Sequence, residues 1–431
     1  MNKKLARIAV LTVLIITIFL LVVANASLSG YITGRVIDNV TLQPIKGAVV
    51  TIENGAMETD DKGMFKIKSS GQKVTVRAHG YLRAEQAVTS TPFLISPFYT
   101  SPVTIKLVPF KPKALYLSFY GAGSKVIRDS ALRLIDSTEL NALVIDVKGD
   151  KGMIPYKSSI PLASQVGAQK IITVKDIKGL IKSFKDKGIY TIARIVVFKD
   201  NLLAEARPDL AIRTAGGQIW RDREKLCWVD PSKKEVWDYN ISIALEAAQN
   251  GFDEIQFDYV RFPDTKGLAF AVENTETNRV NAISGFLMEA KKRLAPYNTF
   301  LSADIFGYVS WNLNDTFIGQ KLENLVPVLD YFSPMLYPSG FQFGIPGYRI
   351  PVSHPYEIVY LTLKRAQERT RVQSNRFRPW IQAFRDYSFD RRQFTGKEIR
   401  DQIDAAEKFG SHGWMLWNPR NVYTSDGLRK G

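Results

Sequence analysis

From Lys113 onward, eight apolar runs alternate with segments of helical periodicity. The runs are continuous and rich in β-branched residues, which is typical of strands buried on both faces of a parallel sheet. Eight such strands with intervening helices favour a closed (β/α)8 TIM barrel over an open sheet. The predicted strands are Ala114–Phe119, Ala142–Val147, Tyr190–Phe198, Glu254–Val260, Phe300–Phe306, Asp330–Leu336, Pro379–Phe384 and Gly413–Asn418. The predicted helices are Lys125–Thr138, Lys175–Lys187, Val236–Asn250, Arg279–Leu294, Ile318–Val326, Tyr356–Val372 and Gly396–Phe409.

Several classes of function are disfavoured by motifs and residues that the sequence lacks. No G-x-G-x-x-G or GKS/GKT motif follows a predicted strand of residues 113–431, which argues against dinucleotide and P-loop binding. The one cysteine, Cys227, excludes an internal disulfide framework and a Cys-cluster zinc site. Three widely separated histidines, His79, His354 and His412, argue against a histidine metal site. We therefore expect neither a cofactor nor a metal.

A different pattern occupies residues 27–112, where short β-rich runs are separated by turn signals. Asn54-Gly55 and Asp60–Gly63 are tight-turn sequences, since glycine adopts the positive φ that such turns need. Regular short strands predict a small all-β sandwich, and Thr91–Pro112 is predicted to be a last strand and a stiff linker. The segments GRVID, PIKGAVV, TDDKGMFKI and GYLRAE within Gly34–Glu85 resemble the carboxypeptidase regulatory-like domain, a prealbumin-type sandwich. That resemblance implies a spacer or adhesion module.

The N-terminal residues have the pattern of an export signal. Three basic residues among the first seven precede an uncharged run, Ile8–Val23. With Ala24–Ala26 added, the run approaches the roughly 20 residues that span a bilayer, whereas Ala24–Ala26 also fits an A-x-A cleavage site. Residues 1–26 are therefore predicted to be a cleaved signal peptide or a membrane anchor. In both cases we expect an extracytoplasmic protein, either secreted or anchored at the cell membrane.

The formal net charge of +16 is concentrated in one part of the predicted barrel. The stretch Lys364–Arg400 contains eleven Lys or Arg residues against four Asp or Glu residues. A solvated helix face and loop is one interpretation, and a docking surface for an anionic envelope polymer or lipid headgroups is the other. Because the chain is expected to be exported, we do not expect nucleic acid as a partner.

Acidic residues at the strand ends mark the candidate site. In a (β/α)8 barrel the carboxyl ends of the strands face the active site, and the amino ends face the structural side. Asp330 opens its strand and His412 precedes the last one, so both are assigned to the structural side. The acids at or just after strand ends are Asp146, Asp150, Asp200, Asp258 and Asp304.

Asp258 and Asp304 stand out because both lie among apolar neighbours. A buried carboxylate is costly unless it is paired, so a structural ion pair with Arg194 or Arg261 is one interpretation. The other is catalysis, since glycoside hydrolysis uses one ionised and one protonated carboxyl group. Aromatic and polar residues near other strand ends suit a sugar, and alternation places Trp417 on the same strand face as Met415. The predicted substrate-binding residues are Asp146, Lys148, Arg194, Tyr259, Arg261, Tyr337, Gln382, Trp417 and Asn418.

A family resemblance extends over roughly Lys113 to Tyr423. It is carried by GFDEIQFDYVRFP, VIDVKGDKG, ARIVVFKDNLLA, SADIFG, SPMLYPS and WMLWN, and it resembles a glycosyl hydrolase family of barrels marked by F-D-Y-[VI]-R-[FY]-P. That family is related to the α-amylase-like barrels, in which a strand-4 aspartate is the nucleophile and a strand-5 acid is the proton donor. The resemblance therefore implies Asp258 as nucleophile and Asp304 as acid/base.

Two departures accompany this resemblance. Amylase-type sites also use a strand-7 acid, whereas strand 7 here offers Gln382, with Asp386 four residues later. A fainter resemblance to chitinase-type barrels aligns Asp258 with the last aspartate of their strand-4 motif. Val260 then stands where the chitinase catalytic glutamate belongs, which argues against the chitinase mechanism.

The sequence thus predicts a secreted or membrane-tethered glycoside hydrolase that acts on a polysaccharide or oligosaccharide with an Asp258–Asp304 pair and retains the anomeric configuration. The alternative is a non-catalytic glycan-binding envelope protein that has kept the barrel. A metal-dependent deacetylase would need histidine ligands that the strand ends do not supply.

Overall fold

The computed structural model describes residues 17, 30–53, 55–69, 73–87 and 103–431. The predicted export segment, residues 1–26, lies outside the described residues except for Thr17. Residues 91–102 of the predicted last strand and linker lie outside them as well. No helix of the described residues has both the length and the hydropathy that crossing a bilayer requires. The described chain divides between Phe110 and Lys111 into two compact units, with Ala295–Asn298 assigned to the first.

The described residues of the first unit form seven strands in two sheets. One sheet has the order β4-β1-β7 and the other β3-β2-β5-β6. Alternate residues of these strands point into one apolar core that includes Val36, Val50, Val76 and Leu107. The strands are β1 (Gly30–Asp38), β2 (Val49–Ile52), β3 (Gly55–Glu58), β4 (Met64–Ser69), β5 (Lys73–Arg77), β6 (Ala84–Ala87) and β7 (Val103–Leu107).

The predicted turn at Asp60–Gly63 connects to β4. The Asp60 carboxylate accepts hydrogen bonds from the backbone N–H groups of Lys62 and Met64, at 2.9 and 2.8 Å. Gly63 has a φ of +71°, and a Cβ there would meet the Val36 carbonyl at 2.4 Å. The β-rich character predicted for this part of the chain is confirmed, while its assignment to the carboxypeptidase regulatory-like family stays a prediction.

The second unit is a closed parallel barrel, as predicted. Its strand order is β10-β12-β14-β15-β16-β17-β8-β9, so each strand pairs with its neighbours in the chain and the last pairs with the first. The barrel strands are β8 (Lys113–Leu117), β9 (Ala142–Lys148), β10 (Tyr190–Val196), β12 (Glu254–Asp258), β14 (Phe300–Phe306), β15 (Tyr331–Met335), β16 (Trp380–Gln382) and β17 (Trp414–Trp417). Outside the barrel, β11 (Arg213–Thr214) pairs antiparallel with β13 (Leu268–Ala269).

Helices separate the barrel strands and include short ones that the periodicity did not predict. The predicted helix Ile318–Val326 is reduced to four residues, Leu322–Leu325. The helices are α1 (Phe119–Gly123), α2 (Lys125–Ser137), α3 (Pro161–Gln165), α4 (Ile177–Lys185), α5 (Asn201–Ala206), α6 (Lys234–Gln249), α7 (Glu276–Leu294), α8 (Leu322–Leu325), α9 (Pro355–Thr370) and α10 (Gly396–Phe409). Of these, α3 and α5 lie in strand-to-helix loops, where short capped turns leave little periodic signal.

Alternate residues of β12 point into the barrel and occupy three levels. At the amino end, Glu254 is fully buried and accepts two hydrogen bonds from Arg378, at 2.8 and 2.7 Å. Gln256 lies above it and donates to Ser333 at 3.1 Å. Asp258 occupies the carboxyl end. Because strand residues alternate in direction, an acid at this third level projects into the space enclosed by the strand ends.

Candidate active site

A cavity of about 260 Å³ opens at the carboxyl ends of the barrel strands. Its lining includes both predicted catalytic acids. Arginine, tyrosine and tryptophan side chains form much of the remaining wall, so the cavity combines charged groups with flat apolar faces. The residues that concern the chemistry are Arg194, Asp258, Asp304, Tyr337, Trp380 and Trp417.

Asp304 is 1% exposed and lies on β14. One of its carboxyl oxygens accepts a hydrogen bond from Nε1 of Trp380, at 2.7 Å. Burial, the negative charge of Asp258 and a hydrogen bond with Asp258 raise the pKa of Asp304 well above its usual range, although Arg194 and Trp380 oppose the shift. A carboxyl group in this environment keeps its proton at pH values where an exposed aspartate is ionised.

Asp258 forms an ion pair with Arg194. Oδ2 of Asp258 accepts hydrogen bonds from Nε and Nη2 of Arg194, at 3.1 and 2.5 Å. Oδ1 accepts from the backbone N–H of Tyr259, a residue with a φ of +47°. This φ lies in the left-handed region that a tyrosine rarely adopts, so the backbone turns sharply just after the acid. Both oxygens of Asp258 are therefore fixed in position, one by a buried arginine and the other by the backbone.

Arg194 connects the two acids. Its Nε lies 3.1 Å from Oδ2 of Asp258 and 3.9 Å from Oδ2 of Asp304. On its other side, Nη1 donates to Asp146 at 2.6 Å, and Asp146 accepts a further hydrogen bond from Tyr116 at 2.6 Å. Asp146 therefore binds the guanidinium at Nη1, and the two carboxyl groups of the cavity lie near Nε.

Aromatic rings enclose the same guanidinium. Its central carbon lies 4.9 Å from the ring centre of Trp417 and 5.4 Å from that of Tyr116, and these two rings stack with centres 4.0 Å apart. Trp380 packs edge-on against Trp417, with centres 5.4 Å apart. Such packing restricts the rotamers of Arg194 and keeps water away from it, which strengthens its interactions with the acids.

The predicted substrate-binding residues divide into two groups. Arg194, Tyr259, Arg261, Tyr337 and Trp417 line the cavity. Burial and the negative charges of Asp304 and Asp258 raise the pKa of Tyr337 well above its usual range. The hydroxyl of Tyr337 is therefore a neutral group in this wall. The second group consists of Asp146, Lys148, Gln382 and Asn418, which are not part of the lining.

The residues of this second group have partners elsewhere in the barrel. Lys148 is fully buried and forms an ion pair with Asp200 at 2.6 Å. Gln382 donates to the Ser339 hydroxyl at 2.7 Å, and Asn418 donates to the backbone oxygen of residue 383 at 2.7 Å. Asp146 accepts a hydrogen bond from Arg194, which lines the cavity, and so can affect the site indirectly.

Asp386, the candidate strand-7 acid, is absent from the cavity lining. Its carboxylate accepts a hydrogen bond from the Ser339 hydroxyl at 2.7 Å and from the backbone N–H groups of residues 388–391. These hydrogen bonds lower the pKa of Asp386 to about 2 in spite of its burial. Asp386 thus organises the loop after β16.

Several residues of the wall are not among the predicted site residues. Trp380 is one, although it precedes Gln382 by two residues and so shares its strand face. Tyr116, near the end of β8, is not part of the lining but contacts Asp146 and Arg194. Tyr308, Phe341 and Tyr387 come from loops, where no periodicity marks them. Among the described residues there is no cluster of three His, Cys, Asp or Glu side chains that would suit a metal ion.

Many cations of the basic stretch Lys364–Arg400 are bound within the chain. Arg369 pairs with Glu323 at 2.8 Å. Arg376 donates to the backbone oxygen of Asp330 at 2.6 Å. Arg378, Arg392 and Arg400 pair with Glu254, Asp390 and Glu139. These contacts give much of the charge a structural use, and nothing in them supports a docking surface for an anionic polymer or lipid.

Residues 114–423 match a protein-family model described as "Putative glycosyl hydrolase domain". The chain belongs to this family. The match covers the whole barrel from β8 to β17 and contains the cavity with both of its acids. A search of the curated proteins finds no match.

Solved structures that resemble the chain include glycoside hydrolases. A hypothetical protein from Ruminiclostridium thermocellum is 40% identical, with 44% of this chain and 96% of that chain covered and a TM-score of 0.39. The PgaB (BpsB) glycoside hydrolase domain from Bordetella bronchiseptica is 12% identical, with 73% and 95% covered and a TM-score of 0.52. A class V chitinase from Pseudomonas fluorescens is 13% identical, with 73% and 96% covered and a TM-score of 0.45. The Bordetella match agrees with the observed barrel fold.

Proposed function

We propose that the barrel hydrolyses glycosidic bonds, with Asp304 as the proton donor and Asp258 as the nucleophile. The observation that carries the proposal is the unequal treatment of two adjacent carboxyl groups. Asp304 is kept protonated by burial and by Asp258, whereas Asp258 accepts two hydrogen bonds from Arg194. Glycosidases need this combination of one acid and one ionised carboxylate at the scissile bond.

In the first step, Asp304 donates its proton to the glycosidic oxygen while a carboxylate oxygen of Asp258 attacks the anomeric carbon. The bond from that carbon to the leaving oxygen breaks, and a glycosyl ester forms on Asp258. In the second step, the ionised Asp304 takes a proton from water, and the water oxygen displaces the ester. Asp258 is released as a carboxylate and Asp304 is again protonated, so the configuration is retained.

The short separation of the two acids supports retention over inversion. Inverting enzymes leave about 6.5–9.5 Å between the two carboxyl groups for the attacking water, and retaining enzymes about 5–5.5 Å. Here an oxygen of Asp258 lies 3.1 Å from Nε of Arg194, and an oxygen of Asp304 lies 3.9 Å from the same nitrogen. This shared contact favours the shorter separation of a retaining pair.

The other wall residues suit a sugar in this mechanism. Trp417 and Tyr337 contribute aromatic rings to the lining of the cavity. Aromatic rings pack against the apolar side of a pyranose ring, while nearby polar groups fix its orientation. We assign a polysaccharide or oligosaccharide as the substrate class. We further propose that the protein acts outside the cytoplasm, secreted or tethered through residues 1–26, with residues 27–112 as a carboxypeptidase regulatory-like spacer.

The full chain should be assayed for reducing ends released from a panel of polysaccharides, with Asp258→Asn and Asp304→Asn as test variants. We expect each variant to lose at least 100-fold in rate. Asp386→Asn is the matched control, because that acid binds backbone groups outside the cavity. Its activity should persist in samples with native circular dichroism. Retention of glycan by the parent and by Asp258→Asn, with no reducing ends from either, would identify a non-catalytic binder instead.

A further inference from the structure

A second cavity of about 250 Å³ adjoins the active-site cavity. Tyr259 and Arg261 line both, so the two spaces share a wall that begins directly after Asp258. Trp220 and Trp228 also line the second cavity. A linear molecule bound across Asp258 and Asp304 can therefore extend past Tyr259 and Arg261 into the second cavity.

The wall of the second cavity is fixed in place without a ligand. Lys199 is 2% exposed and lies 3.4 Å from Asp222 and 3.0 Å from Glu224. Asp222 in turn accepts a hydrogen bond from Nε1 of Trp228, at 2.9 Å. A buried lysine thus ties the loop that carries the tryptophans to the end of β10. Such preorganisation reduces the entropy that a ligand must lose on binding.

The chemistry of this cavity fits a sugar ring. Trp220 is half-buried, and its ring centre lies 6.1 Å from that of Trp228. The Arg261 guanidinium stacks 5.0 Å from the Trp228 ring. Among the described residues, no carboxylate lies within ion-pair distance of Arg261. Its Nη1 donates to the backbone oxygen of Phe262 at 3.1 Å, which leaves the N–H groups of Nε and Nη2 available to hydroxyl groups. An aromatic face beside free donors is a common arrangement in sites that orient a ring.

The charges of the cavity favour an uncharged ligand. Three cationic and three acidic side chains line it, so the wall carries no net charge. A uronate carboxylate or a hexosamine ammonium would meet both signs, whereas hydroxyl groups can donate to the acids and accept from the cations. The charged lining residues are Lys199, Arg223, Arg261, Asp222, Glu224 and Asp264.

We propose that this second cavity is a subsite for an uncharged sugar unit of the glycan chain whose neighbouring units lie across Asp258 and Asp304. The subsite rests on the proposed function for the identity of its ligand. It predicts that affinity rises with chain length once the glycan reaches Trp220, and that shorter glycans are indifferent to that residue.

Binding is measured with the full-length Asp258→Asn protein, which removes turnover. The probes are maltohexaose, cellohexaose and chitohexaose with their disaccharides, and charged hexamers of galacturonate and glucosamine. We expect Trp220→Ala to weaken binding of the preferred neutral hexasaccharide about 3- to 10-fold, as loss of one aromatic contact does. The disaccharide should bind equally to both proteins, and Trp220→Phe should retain most of the affinity. Tyr360→Ala, on the outer helix α9, is the aromatic control.

Three results would overturn the subsite: an unchanged hexasaccharide affinity in Trp220→Ala, a dependence on Trp220 for charged hexamers alone, or no binding of any neutral hexasaccharide. The proposed hydrolysis fails separately. If hexasaccharides bind through Trp220 but the parent protein releases no reducing ends, the subsite stands and the catalytic assignment is wrong. If the parent hydrolyses them without regard to Trp220, the reverse holds.

Discussion

Nε1 of Trp380 donates a hydrogen bond to the carboxyl group of Asp304 across the neck of the barrel, at 2.7 Å. The two residues come from β14 and β16, which are not adjacent in the barrel. The hydrogen bond favours the charged form of Asp304 and so opposes the rise of its pKa. It also fixes the direction of the carboxyl group, which a proton donor needs.

Trp380→Phe should therefore raise the pKa of Asp304 further and slow hydrolysis. A proton donor is active below its pKa, so the limb on which the rate falls with rising pH should move to higher pH. We expect kcat to fall about 10-fold, the equivalent of one hydrogen bond to an ionisable group. The measurement is a pH–rate profile. Trp414→Phe is the control, because Trp414 is buried on β17 and its Nε1 has no hydrogen-bond partner among the described residues. If the control also shifted this limb of the pH–rate profile, the assignment of the shift to the Trp380–Asp304 hydrogen bond would be wrong.

The pKa of Asp304 should fall in Asp258→Asn. The negative charge of Asp258 is one of the causes that hold this pKa high, and an amide removes that charge while keeping nearly the same shape. Arg194 remains and favours the ionised form. A carbon-13 titration of the aspartate carboxyl groups measures the change. An equal or higher pKa in the variant would mean that the two acids do not interact.

The barrel itself was predictable because a continuous apolar run is a local signal. Each of the eight predicted strands overlaps an observed one, and Asp258 and Asp304 were found because their strand positions imply their direction. The hydrogen-bond and ion-pair partners of the predicted site residues were not predictable, since those partners come from distant parts of the chain. Lys148 was expected in the site, yet Asp200, 52 residues later, holds it elsewhere. The sequence does not decide whether Asp386 is an acid of the site, because only the fold shows that its oxygens face backbone N–H groups.

Asp304 should make the fold less stable as pH rises. Its folded pKa lies above the unfolded value of about 3.9. The folded state therefore binds more protons, and stability declines as pH rises from the unfolded pKa through the folded one. Asp304→Asn should remove this dependence and raise Tm more at pH 8 than at pH 4. In the control Asp315→Asn, the buried Arg279 keeps its charge but loses its charged partner, and Tm should fall. A uniform shift of Tm across pH in Asp304→Asn would contradict the expectation.

Asp146→Asn should lower kcat more than it changes KM. Asp146 contacts Arg194 and Tyr116 but does not line the cavity, so its effect on substrate passes through the guanidinium. With the charge removed, Arg194 keeps Asp258 and its aromatic contacts but loses the charged partner of Nη1. We expect kcat to fall about 10-fold because small misplacements of a catalytic group are costly. Steady-state kinetics separate the two parameters. A higher KM with unchanged kcat would show instead that Asp146 binds the substrate directly.

Glu254→Gln should destabilise the barrel and leave the chemistry intact. Glu254 is fully buried at the amino end of β12, where it accepts hydrogen bonds from Arg378, Ser302 and Tyr190. Removing one charge of a buried pair leaves the other uncompensated, which costs about 3–5 kcal/mol. Urea unfolding should show that loss, while the pH–rate profile of the folded fraction should match the parent, since the level of Gln256 separates Glu254 from Asp258 and the cavity. A displaced pH profile would mean that the floor of the barrel sets the charge state of the acids at its mouth.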